Sequence, residues 1–313
     1  MQFRTEYKPS KALFSINHSH RLFFIGSCFT NSFGEWLQEF KFKTELNPFG
    51  ITFNSISITN QIEFIIQKKV FSENDLFQHQ NLFKSFQHHS SFNNVNQKAA
   101  LEKINQRIVS AHEFLKKSDY LFLTLGTSWC YFNKEKKCIV NNCHKIDSKQ
   151  FERKFISLDQ NLKAFETTFQ ALAAFNPNLK IIFTVSPVRH LKDGLTENQI
   201  SKATLLLSIS ELIKRTNNCY YFPAYEIMLD DLRDYRFYAN DMIHPNDIAI
   251  NYIKEIFSEM YFDLKTKSFT KEYSGILSFN KHRPFEEDSD EYKKSKESIV
   301  KKQLELEQRF NIS

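Results

Sequence analysis

A chain of 313 residues with 41% hydrophobic and 25% charged side chains has material for a large core and the polarity of a globular protein. Its net charge of +6, from 42 basic and 36 acidic residues, comes without a basic run interleaved with aromatics, which argues against nucleic acid as a partner. Five scattered cysteines (Cys28, Cys130, Cys138, Cys143 and Cys219) suggest no disulfide framework, and no apolar run reaches the length that spans a bilayer.

The N-terminal MQFRTEYKPS has no apolar stretch of the secretory kind, so a cytoplasmic protein without membrane association is expected. A short apolar strand is predicted at 21–25, followed at once by Gly26-Ser27-Cys28 and a helical pattern over 30–40. Further helices are predicted near 56–68 and 97–117, and a second buried strand at 119–125, DYLFLTL. Residues 129–146 carry two apolar runs around a polar turn and read as an inserted β-hairpin. The stretch SLDQNLKAFETTFQALAAF spaces Leu162, Phe165, Phe169 and Leu172 at helical intervals behind a capping Ser157, which predicts a helix over 158–175. Strands at 180–185 and 219–222 alternate with helices near 197–215 and 246–262. From residue 281 onward the charge is balanced, and a thin stripe of Tyr292, Ile299, Leu306 and Phe310 predicts a charged terminal helix, either laid on the body or solvated. Strand–helix alternation of this kind predicts an α/β layered fold around a mainly parallel sheet.

Two stretches carry chemistry. Ser27 stands one residue past the first strand, at the end of a parallel sheet where ligands collect, and a helix beginning there aims free N–H groups at whatever binds. That suits an attacking hydroxyl, although for this stretch taken alone a plain tight turn is the simpler account. In YANDMIHPND, Asp241 and His244 are three residues apart ahead of a helix, with Pro245 suited to a helix start. Such a pair can set one imidazole nitrogen against the carboxylate and leave the other as a general base; a helix cap and a surface histidine are the alternative. Cys138, Cys143 and His144 match no zinc spacing, and His88-His89 has no ligand spacing, so neither metal nor cofactor is expected.

Taken together, a serine after the first strand and Asp-x-x-His-Pro before the last helix resemble the layout of the SGNH/GDSL hydrolase superfamily. FIGSCFTNSFGEWL is similar to the motif for which the GSCFA domain family is named, and NPFGITFN (47–54), LGTSWCY (125–131), SPVRHLKDG (186–194) and DMIHPN (241–246) resemble the same family in order. The resemblance spans residues 3–262. It implies a three-layer α/β/α fold with a flavodoxin-like sheet, an SGNH-like GSCFA domain over 1–265, and a C-terminal extension over 266–313. It also implies a serine esterase acting through an acyl-enzyme on a small O-acyl ester, acetyl foremost, with an acetylated carbohydrate as the candidate substrate. O-acyl transfer to a glycan, or a binding module without catalysis, are the alternatives.

By the same resemblance Ser27 is the nucleophile, His244 the base and Asp241 the acid that orients it. The N–H groups of Ser27 and Gly50 are oxyanion donors. Where the wider superfamily supplies an asparagine donor this chain reads Gly126-Thr127-Ser128, so Thr127 or Ser128, or Asn47 or Asn54, takes that part. Cys28 is the rival nucleophile, set aside because neighbouring side chains at a turn point apart and the motif match falls on Ser27. Arg189 and His190, with Asn54, are candidate substrate contacts; a structural ion pair for Arg189 is the alternative.

Overall fold

The computed structural model describes residues 4–281 and 289–312. From the N-terminus, β1 (Arg21–Gly26) leads through α1 (Cys28–Glu39) to β2 (Lys43–Leu46) and α2 (Ser55–Ile66). A small hairpin of β3 (Phe77–His79) and β4 (Leu82–Lys84) precedes α3 (Gln97–Lys116) and β5 (Tyr120–Leu125). Next come β6 (Trp129–Asn133), β7 (Cys138–Val140) and β8 (Phe151–Phe155), then α4 (Leu158–Phe175), β9 (Lys180–Val185), α5 (Leu195–Arg215) and β10 (Cys219–Tyr221). The chain closes with the single turn α6 (Ala224–Glu226), α7 (Asp247–Tyr261), α8 (Leu264–Lys281) and α9 (Asp290–Phe310).

The central sheet has the order β10-β9-β5-β1-β2, and every pairing in it is parallel. Side chains alternate across a strand, so each strand feeds both faces of the sheet. Phe23 and Ile25 of β1 join Leu121, Leu123, Ile181 and Phe183 in one core with α2, α3, α4 and α5. Leu22 and Phe24 face the other way, with Phe122 and Ile182, against α1 and α7. Three layers result, as the sequence resemblance implied. Apolar burial on both faces is what makes β1, β5 and β9 read as unbroken hydrophobic runs.

The inserted hairpin is a three-stranded antiparallel sheet, β7-β6-β8, one strand larger than the sequence pattern indicated. The terminal helix is packed rather than solvated. Leu306 is buried with Phe269, Tyr273 and Ile276 of α8. Phe310 meets Phe269 while Tyr292 stacks on Phe279, so α9 runs antiparallel to α8. The expected domain boundary at residue 265 falls in the first turn of α8, and the stretches 282–288 and 313 of the expected tail lie outside the described residues. Among the described residues no helix is long and apolar enough to cross a membrane.

The corner after β1 depends on a glycine. Gly26 has φ +153°, and a Cβ there would sit 2.4 Å from the Thr124 carbonyl oxygen and 2.8 Å from Thr30 Oγ1. Backbone cannot yield as a side-chain tip can, so Gly26→Ala is expected to cost about 3 kcal/mol through overpacking and strain. A chemical denaturation midpoint equal to that of the wild type would contradict this.

Candidate active site

Neighbouring strands set the register of the site. Gly26 of β1 lies level with Thr124 of β5, and Leu125 of β5 with Val185 of β9. The chain therefore leaves the sheet side by side at Ser27, Gly126 and Ser186. Chain order reverses at β1 and β5, where α1 departs to one face while the connections from β5 onward depart to the other. A crevice at such a reversal is where open parallel sheets bind ligands.

The loop ahead of α7 brings the acid–base pair to this edge. Asp241 Oδ1 accepts the N–H groups of Ile243 (2.9 Å) and His244 (3.0 Å), while Oδ2 faces His244 Nδ1 at 2.6 Å. The His244 and Ile243 N–H groups, followed by the imidazole, hold the Asp241 carboxyl down at about 2, so it is a carboxylate at any working pH. A bridge between Tyr238 and Pro245 closes the loop, and the N–H of Arg189, after β9, donates to the Ile243 carbonyl at 3.3 Å. The His244 imidazole is half exposed, with Nδ1 engaged. An imidazole held in this way keeps Nε2 for a proton from outside the pair.

Ser27 is placed differently from expectation. It is the residue ahead of the first turn of α1, it is 0% exposed, and its hydroxyl has no hydrogen-bond partner among the described residues. The Ser27–His244 hydrogen bond that a serine nucleophile calls for is therefore absent. Cys28, the first residue of α1, is only partly buried.

Most of the expected oxyanion donors are engaged elsewhere. The Gly50 N–H donates to the Asn47 carbonyl at 2.7 Å. Asn47 Oδ1 accepts the Gly26 N–H (2.8 Å) and its Nδ2 donates to Asn31 Oδ1 (2.6 Å), so this loop clamps the corner from below. Thr127 Oγ1 pairs with Ser201 Oγ at 3.0 Å and accepts the Trp129 N–H; Ser128 Oγ donates to the Ser201 carbonyl at 3.1 Å. Both residues thereby fasten the end of β5 to α5. Asn54 caps α2 through Oδ1, which accepts the Ser57 N–H at 2.8 Å, and Nδ2 is its remaining donor.

Arg189 meets tyrosines rather than a carboxylate. Its guanidinium donates to the Tyr238 hydroxyl at 2.9 Å and lies 4.3 Å from the centre of that ring. His190 packs edge-on against Phe53, with Nε2 buried and without a hydrogen-bond partner among the described residues. Burial, then the charges of Lys202 and Arg153, push its pKa down to about 3, so it is a neutral imidazole. A cavity of about 530 Å³ opens beside it, lined by Phe53, Asn54, Thr127, Trp129 and Tyr131 among others. His88 lies in the core, stacked on Phe49 (4.6 Å), whereas His89 reaches the cavity wall.

One residue at this edge went unread in the sequence. Lys202 of α5 is buried, and its Nζ donates to the carbonyls of Gly126 and Ser186, both at 2.7 Å. Burial pulls its pKa down to about 7. Asn198, Ser201, Lys202, Leu205, Ser208, Ile209 and Leu212 are the buried positions of α5. That three- and four-residue spacing puts Lys202 on the inward stripe, a signal present in the sequence.

The edge of this α/β sheet thus carries an acid–base pair and the N-terminus of α1, with a cavity opening beside His190. The chain belongs to the GSCFA family, whose sequence profile matches residues 21–257. No curated protein matches it. Among solved structures, a Streptococcus pneumonia protein named for platelet activating factor is 12% identical with a TM-score of 0.39, covering 76% of this chain and 82% of that one. The family 3 carbohydrate esterase of Clostridium thermocellum is 9% identical at a TM-score of 0.36, covering 77% and 94%. An acetyl xylan esterase, Est2A, from Butyrivibrio proteoclasticus is 13% identical at 0.34, covering 66% and 56%. These are loose likenesses, and nothing about this chain's chemistry rests on them.

Proposed function

We propose that this protein is an ester hydrolase that works through an acyl-enzyme at the corner formed by Gly26, Ser27 and Cys28. The Asp241–His244 pair carries the reading: a carboxylate 2.6 Å from Nδ1 fixes the tautomer and leaves Nε2 to take a proton from a nucleophile. His190, whose pKa burial lowers to about 3, is the weaker base and the competitor for the role. The first N–H groups of α1 supply oxyanion donors, and Asn54 Nδ2 is the side-chain donor that remains after Asn47, Thr127 and Ser128 are engaged.

The substrate is a small O-acyl ester, with acetyl the favoured acyl group. A cavity of about 530 Å³ faced by Trp129 and Tyr131 has the size and aromatic surface for a sugar as the alcohol. Water as acceptor gives hydrolysis, and a second sugar hydroxyl gives O-acyl transfer. Turnover of p-nitrophenyl esters of graded chain length tests the reading. Activity is expected on the shortest esters, and Asp241→Asn, which frees the imidazole, is expected to lower it by about 10². A wild type with no turnover on any chain length would contradict it.

A further inference from the structure

We propose that the nucleophile at this corner is the thiol of Cys28, and that Ser27 beside it is a buried turn residue. This rests on the acyl-transfer reading above and decides which side chain carries the acyl group.

The two residues meet different surroundings. Ser27 precedes α1 with extended backbone (φ −71°, ψ 178°), has no exposed surface, and makes no side-chain cap. Among the described residues its hydroxyl has no partner, so none of them is in contact as a base to take its proton. The backbone on either side is tied: the Gly26 N–H to Asn47 Oδ1, and the Ser27 carbonyl to the Thr30 N–H at 2.9 Å. Cys28 is one residue further on, inside the first turn and partly exposed.

Strand register locates the thiol's neighbours. Gly26 pairs with Thr124, so the corner that leads into α1 leaves the sheet beside the end of β5. The Gly126 carbonyl is held by Lys202 Nζ, and a Cβ on Gly126 would stand 3.2 Å from His190 Nε2. An ammonium carries three N–H bonds, and the two carbonyls take two of them. Across the crevice, the Arg189 N–H holds the loop of Asp241 and His244 to the end of β9. The charges of Lys202 and of Asp241 both act on the Cys28 thiol, which puts it within electrostatic reach of the buried lysine and of the acid of the pair.

The electrostatics agree with that placement. Burial raises the Cys28 thiol above its ordinary value; the N–H groups of Phe29 and Cys28 and the Lys202 charge act against this, and Asp241 adds to it. The resting group is thus a thiol, which needs a base, and the proposal gives that part to His244, the partner of Asp241.

In the first step the Sγ proton passes to His244 Nε2 while Sγ bonds to the ester carbonyl carbon. The tetrahedral centre then collapses, the carbon–oxygen bond to the alcohol breaks, and His244 returns the proton to the departing alkoxide. A thioester on Cys28 remains. Water gives a proton to His244 and adds to the thioester, the carbon–sulfur bond breaks, and the thiolate recovers the proton from His244.

The test is to mix the full chain with p-nitrophenyl acetate, quench during turnover, and locate the acetyl group by fragmenting the labelled peptide. The expected result is acetyl on Cys28, removed by neutral hydroxylamine as a thioester is, with Cys28→Ala losing both the adduct and about 10³-fold or more of the turnover. Acetyl on Ser27, stable to neutral hydroxylamine, would overturn this proposal and leave the acyl-enzyme standing. Turnover with no adduct on either residue would overturn both. The mapping uses the wild-type chain, so it does not depend on whether a variant folds.

Discussion

His244→Ala is expected to lower kcat/KM for short p-nitrophenyl esters by about 10³-fold, with the fold intact. The imidazole is half exposed and belongs to a loop, so its removal opens no core cavity. Its loss deprives the nucleophile of a proton acceptor and the leaving alcohol of a proton donor. The loop should stay formed, because Asp241 Oδ1 still accepts the N–H groups of residues 243 and 244, and the Ile243 carbonyl still accepts from Arg189. Steady-state rates with circular dichroism as the control on folding make the comparison. A variant that turns over at wild-type rate would remove His244 from the chemistry and pass the role to His190, the other imidazole at this edge.

Lys202→Met is expected to lower stability by about 2 kcal/mol at pH 7 and to remove a distinctive pH dependence. Methionine matches the stem but not the donor, so the carbonyls of Gly126 and Ser186 lose their buried partner; each loss costs about 1–3 kcal/mol, partly offset by removing a buried charge. In the folded protein the ammonium titrates near 7, below the value of about 10.4 in an unfolded chain. Between those two values the unfolded state binds more protons than the folded one. Wild-type stability therefore rises with pH across that window, by up to about 1.4 kcal/mol per pH unit for one proton, and is flat in this contribution below it. The variant lacks the rise, so the gap between the two proteins should widen from pH 7 to pH 9. Urea denaturation at both values measures it, and parallel curves would contradict the assignment. The same substitution frees the backbone where β5 and β9 end at the site's edge, so activity is expected to fall with stability.

Legibility in the sequence followed the range of the interactions. β1, β5 and β9 were readable because burial on both faces turns them into plain apolar runs. β2, Lys-Thr-Glu-Leu, was not: it is four residues at the sheet's edge, and Glu45 is buried against Arg107 of α3, a partner no local pattern shows. β8, Phe-Glu-Arg-Lys-Phe, escaped for the same reason, since its pairing with β6 supplies the strand that its composition does not.

The site divides in the same way. Asp241 and His244 are three residues apart, so their contact is a local event that spacing can announce. Thr127 and Ser128 looked like free hydroxyls because their partner, Ser201, is more than seventy residues away. Gly50 and Asn47 looked like oxyanion donors because the turn that engages them is not visible as composition; a Cβ on Gly50 would stand 2.2 Å from His89 Cβ, so close packing in that turn explains the glycine. Ser27 and Cys28 are adjacent in sequence, and only the start of α1 distinguishes the fully buried side chain from the partly exposed one.

The most direct test of an acyl-transfer site at the sheet's edge is a crystal structure of the protein trapped with a slowly deacylating ester. The account predicts an acyl carbon bonded to a side chain of the 26–28 corner, its oxygen facing the first N–H groups of α1, and His244 Nε2 on the side where the alcohol departs. An acyl group bonded anywhere else, or one whose oxygen points away from α1 with His244 out of reach, would contradict it.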